Sequence, residues 1–66
     1  MIDLIFCRHD GYKSNVIHVQ EVDYPYVRDA LFASGGVDEI QVRDSGMGIW
    51  SIITYQQWTD SRLDEN

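Results

Sequence analysis

One cysteine, one proline and five lysines or arginines in 66 residues exclude several classes of protein before any motif is considered. Cys7 has no partner for an internal disulfide, so the fold must rest on packing and hydrogen bonds, and nothing in the cysteine usage points to an oxidising compartment. Cytoplasmic residence is the default expectation. A single proline and 44% hydrophobic residues describe a globular chain, not a disordered one. Five cations against eleven Asp and Glu, a net charge of -6, cannot supply the basic footprint that phosphate contacts need, so direct nucleic-acid binding is disfavoured. Long apolar runs are absent as well. Residues Ile2 to Cys7 are interrupted by Asp3 and too short for a signal segment or a membrane span, so they read as a strand and no membrane partner is expected. The length accommodates one domain, residues 1–66, near the lower limit for a core without metal or disulfides.

What is present is a hairpin, a helix and a second hairpin. Asp10-Gly11 between apolar runs predicts a two-residue type I′ turn, because Asp and Gly tolerate the positive φ it demands. That turn sets His9 opposite Tyr12, Ile5 opposite Val16, Leu4 opposite Ile17 and Asp3 opposite His18. Ile2, Leu4, Phe6, Ile17 and Val19 then share a core face. For the second hairpin a three-residue loop, Asp44-Ser45-Gly46, puts glycine at the left-handed position. It groups Ile40, Val42, Trp50 and Ile52 on the core face, with Ile49, Ile53 and Tyr55 opposite. The fourth strand, apolar on both sides, is expected in the sheet centre. Asp23-Tyr24-Pro25 reads as a capped helix start and Gly35-Gly36 as its stop, with Tyr24, Val27, Leu31 and Ala30 toward the sheet and Arg28 and Asp29 toward water. The sum is an α+β domain, ββαββ, with a four-stranded mainly antiparallel sheet and one helix on one face. A tail from about Gln56 is either a short helical turn around Trp58 or a frayed end.

One helix covers one face of such a sheet. The open face would present Ile5, Val16, Ile49, Ile53 and Tyr55, with Cys7 and Tyr12 nearby, a patch large enough to mark an interaction site unless Trp58 folds back over it. The candidate partner-binding residues are therefore Ile49, Ile53, Tyr55 and Tyr12, together with the carboxylates Asp38 and Glu39. Further carboxylates at Glu21, Asp23, Asp60, Asp64 and Glu65 could mimic phosphates toward a basic protein, although acidic residues at strand ends and in tails more often serve solubility.

Catalytic and metal chemistry is thin. Cys7 and His9 share a strand face and could form a thiolate–imidazole pair, but no third orienting residue accompanies them. His18, opposite Asp3 and two pleats from Cys7, does not converge on a tetrahedral ion. Ser45-Gly46-Met47-Gly48 joins two strands with no helix to follow, so turn chemistry explains it better than phosphate binding. No cofactor, no metal and no enzymatic activity are expected.

In size, acidity and sheet-plus-helix plan the chain resembles small virus-encoded inhibitors of host defence, such as anti-CRISPR proteins, a likeness of type carried by no particular residue. It implies a non-enzymatic protein that binds and blocks a basic nucleic-acid-binding protein or nucleoprotein in the host cytoplasm. The alternative is a homo-oligomer, such as a homodimer, that meets through its exposed sheet face in a structural or regulatory role.

Overall fold

A computed structural model describes residues 1–63, so Asp64 and Glu65 lie outside the described residues. The elements in chain order are β1 (Ile2–Arg8), β2 (Ile17–Val19), α1 (Tyr24–Ala33), β3 (Val37–Asp44), β4 (Ser51–Thr54) and α2 (Tyr55–Leu63). The sheet is antiparallel with order β2-β1-β3-β4. This is the expected α+β sheet with one correction of count: among the described residues there are two helices, because the tail forms α2. Among the described residues no helix is long and apolar enough to cross a membrane.

The first hairpin reaches the expected pairing by an unexpected route. Ile2 faces Val19, Asp3 faces His18 and Leu4 faces Ile17. The turn, however, has positive φ at Gly11 alone (+92°), so type I′ is excluded. Gly11 N donates to Arg8 O and Arg8 N to Tyr12 O, a three-residue loop with glycine at the left-handed position. Asp10 stays at negative φ because its carboxylate accepts from the Tyr12 amide (3.0 Å) and from Arg8. Arg8, not His9, therefore pairs with Tyr12. Cys7 then bridges Lys13 and Ser14 N donates to Phe6 O, one residue out of the expected register. An extra residue at Asn15-Val16 restores it, which leaves Ile5 without Val16 as a ladder partner.

The second hairpin departs further. Gly46 has the expected positive φ (+89°) and Met47 N donates to Asp44 O, but the chain re-enters the ladder only at Ser51. Ile40 faces Ile53, Gln41 faces Ile52 and Val42 faces Ser51. The odd shift exchanges the faces of β4. Ile53 joins the core, while Ile52 and Trp50 move to the other side. β4 is also an edge strand, not the centre, because β1 pairs with β3 through nearly the whole length of both.

α1 begins after Asp23 and stops at Ser34-Gly35, as the sequence suggests, with Gly35 at φ +83°. Asp23 makes no side-chain cap bond, its backbone being already helical. The residue that α1 contributes most deeply is Phe32, 1% exposed beside Leu4, Val19, Val37 and Ile40. Tyr24, Val27 and Leu31 pack around this cluster, and Ala30 is exposed instead. α2 closes the same side: the Trp58 ring stacks on Phe32 at 5.3 Å, and its indole N–H donates to Asp29 (2.8 Å). Asp29 and Arg28 are thus half-buried, not turned to water.

The two tryptophans consequently exchange importance. Trp58→Ala removes a ring stack and a hydrogen bond and is expected to cost about 2–3 kcal/mol. Trp50→Ala loses mainly a contact with Arg43 and should cost about 1 kcal/mol. Urea unfolding of both variants measures the order; a larger loss for Trp50 would contradict the observed register of β4.

Candidate functional site

Both helices occupy one side of the sheet, yet the open side is not the apolar patch that alternation suggests. It carries Asp3, Cys7, His18, Glu39, Gln41 and Arg43 around a buried Ile5. Asp3 is 3% exposed and accepts from Arg43 Nε (2.9 Å) and His18 Nδ1 (2.8 Å). The Arg43 hydrogen bond is the main reason its carboxyl is held below the usual value, against the opposing effect of burial, with His18 adding to the depression. Ile53 and Tyr55 are absent from this side: Ile53 packs in the core, and Tyr55 opens α2 with its ring 6.1 Å from Phe32. Among the described residues the tail does not cover the open side, since Trp58 lies with α1.

The paired reading of Cys7 and His9 dissolves. Cys7 Sγ lies 3.9 Å from Glu39 Oε2, and burial, then the Glu39 charge, push the thiol up. His9 sits in the hairpin turn against Asp38. Asp38 reaches it because β3 carries an irregularity there, Cys7 facing Glu39 while Arg8 faces Val37.

All four arginines are spoken for. Each guanidinium lies over an aromatic ring: Arg8 over Tyr12 (5.2 Å), Arg28 over Tyr24 (5.6 Å), Arg43 over Trp50 (4.4 Å) and Arg62 over Trp58 (4.7 Å). Arg8, Arg28 and Arg43 also pair with Asp10, Asp29 and Asp3. Arg8, Arg62 and Lys13 remain exposed beside the more numerous carboxylates. Asp10 and Asp29 are both held below the usual value, Asp10 first by the Tyr12 amide and Asp29 first by the Trp58 indole.

Three of the six sequence-predicted residues converge. Asp38, Glu39 and Tyr55 line a shallow groove of about 410 Å3 with Thr54 and Gln56. Both carboxylates there are engaged, Asp38 by His9 and Glu39 by Gln41 (3.0 Å). Tyr12 stands at the tip of the first hairpin against Phe6 and Arg8. Ile49, 81% exposed, lies at the far end of β3, where it lines a second groove of about 320 Å3 with Ile2, Tyr24, Val42, Asp44, Met47 and Ser51, and with Arg43, whose charge is taken up by Asp3. Asp23 adjoins Tyr24 in the chain, and Glu21 lies 3.9 Å from the Met1 amino group. Among the described residues Asp23 and Asp44 have no ion-pair partner. The sequence pattern puts Asp44 in a tight turn and Met47 in the turn segment, not in a binding groove. The available signal was Met47-Gly48-Ile49, large apolar residues spaced by glycine in a segment too long for the turn assumed.

No known protein family, curated protein or solved structure matches the chain.

Proposed function

We propose that the protein is a non-enzymatic binding protein that blocks a basic macromolecule, a nucleic-acid-binding protein or nucleoprotein, through the groove at the Asp44 end of β3. The observation that carries this reading is the combination of an apolar groove, with Tyr24, Met47 and Ile49 on its walls, and carboxylates without ionic partners beside it. With the arginines held on their own aromatic rings, a cationic partner meets a negative field steered by Asp23 and Asp44, and the apolar walls supply the anchor. Asp38 and Glu39, already engaged, contribute less to steering. A viral inhibitor of host defence, of the anti-CRISPR or phosphate-mimicking type, is the kind of protein this chemistry would serve.

Affinity capture followed by binding kinetics with the identified partner tests the reading. Joint reversal of Asp23 and Asp44 to lysine should slow association, and the wild-type rate should fall steeply between low and physiological salt. Ile49→Asp should speed dissociation by roughly 10-fold or more with little change in stability, since the side chain is exposed. Association indifferent to salt and to both reversals, with dissociation unmoved by Ile49→Asp, would remove the proposal.

A further inference from the structure

Among the described residues, the groove at the Asp44 end of β3 is a stretch of the sheet's helix-bearing side that neither α1 nor α2 roofs. Its floor is Ile2, Val42 and Ser51. Val42 faces Leu4 on one neighbouring strand and Ser51 on the other, so all three lie on the side of the core residues Leu4 and Ile40. Tyr24, the first residue of α1, and Met47 and Ile49, from the loop before β4, form the walls. The floor thus spans three strands. At about 4.8 Å between neighbours it is ~10 Å wide, the diameter of one α-helix with its side chains.

We propose that the partner fills this groove with an amphipathic helix whose outer face is basic, an inference that rests on the reading of the groove given above. Backbone pairing selects the helix. β1 is bonded on both sides, to β2 and β3, and β3 to β1 and β4, so the floor offers an extended segment no unpaired strand to join. The outer edge of β4 lies beside the floor, and there the Thr54 N–H already donates to Gln57 Oε1 (2.9 Å). An extended segment laid over Ile2 and Val42 would leave its own N–H and C=O groups buried without partners, whereas a helix satisfies them internally. Charge selects the basic face. The cations adjoining the groove are Arg43, Arg28 over the Tyr24 ring and the Met1 amino group, and they are paired with Asp3, Asp29 and Glu21. Arg43 lines the groove, but Asp3 holds its guanidinium on the opposite side of the sheet. Among the described residues this leaves two unpaired carboxylates, Asp44 on the groove and Asp23 beside Tyr24. The same surplus disfavours a second copy, whose net charge is also -6. Met47, 58% exposed and unbranched, can re-pack against the apolar stripe of such a helix.

Three labelled peptides of about 18 residues, built from leucine and lysine, test this against the full chain. One repeats leucine at i, i+3, i+4 and i+7; the second has the same composition in strict alternation; the third keeps the helical order around a central proline. Fluorescence anisotropy is expected to show the helical peptide binding at least ~10-fold more tightly than the other two, with a gain of helical circular dichroism on mixing. Ile49→Asp and Met47→Asp should each weaken that binding by at least ~10-fold with the fold unchanged, since both side chains are exposed. A helical peptide that does not bind, binds no better than its controls or binds without gaining helix overturns the inference and leaves the groove reading to the partner kinetics. Binding indifferent to Ile49→Asp, Met47→Asp and the joint reversal of Asp23 and Asp44 removes both. A wild-type dimer in sedimentation that Ile49→Asp abolishes would put a second copy in the groove and overturn the inference as well.

Discussion

Replacing Phe32 by alanine is expected to unfold most of the protein. Its ring is the largest fully buried side chain, touches the sheet core through Leu4, Val37 and Ile40, and receives Tyr55 and Trp58 from α2. Truncating such a ring costs about 3–5 kcal/mol, through lost transfer energy and the cavity left behind. A chain of 66 residues has a total stability of only ~3–10 kcal/mol. Because, among the described residues, Phe32 is the aromatic ring outside α2 on which Tyr55 and Trp58 rest, the helical signal of α2 should fall together with the rest of the fold. Thermal unfolding followed by circular dichroism should show a midpoint at least ~12 °C lower, or no cooperative transition. A native-like transition with intact α2 would mean that the two helices do not share this ring.

Asp3→Asn is expected to lower stability sharply at neutral pH and progressively less in acid. The charged carboxylate joins three strands, since Arg43 reaches it from β3 and His18 from β2. Its folded-state value lies below the ordinary 3.8, mainly through the Arg43 hydrogen bond. The folded protein thus binds the Asp3 proton less tightly than the unfolded chain does, so the stabilisation is full above about 3.8 and is lost as pH falls through the lower folded value. Urea midpoints of wild type and variant should converge below about pH 3.8 and differ most near neutrality. A gap independent of pH would show that Asp3 acts through shape and not through charge. Asp10 and Asp29, also depressed, contribute to the acid limb of both proteins and cancel in the difference.

The first hairpin was legible because two departures from ideal geometry compensate. A two-residue loop with a regular ladder, and a three-residue loop followed by a bulge at Asn15-Val16, both set Asp3 opposite His18. Nothing compensates in the second hairpin. Its loop runs on past Gly46 to Trp50, and alternation in Ile49–Ile53 is too weak to show which face is core when apolar residues occur on both. Phe32 was hidden for a different reason: it adjoins Leu31 and follows Tyr24 by eight positions, so it lies on the same helical stripe, yet a stripe drawn through Tyr24, Val27 and Leu31 already looked complete. The Arg43–Asp3 contact spans 40 residues and depends on β1 pairing with β3, which neither hairpin reveals. Of the grooves, one joins Asp38 and Glu39, expected on an acidic surface, to Tyr55, expected on the open sheet face, a juxtaposition that neither expectation contained. The one lined by Met47 and Ile49 required the true loop.

The extra residue at Asn15-Val16 also bears on how the chain can change length over generations. Because that position is already unpaired, losing one residue there would straighten the strand while Leu4 kept Ile17 and Asp3 kept His18. The middle of β1 has no such spare residue, for every position from Ile2 to Cys7 faces one on β3 in unbroken register. A deletion there would turn each following side chain to the wrong side. Descendants of this sequence should therefore vary in length between Ser14 and Ile17 and hold constant between Ile2 and Cys7.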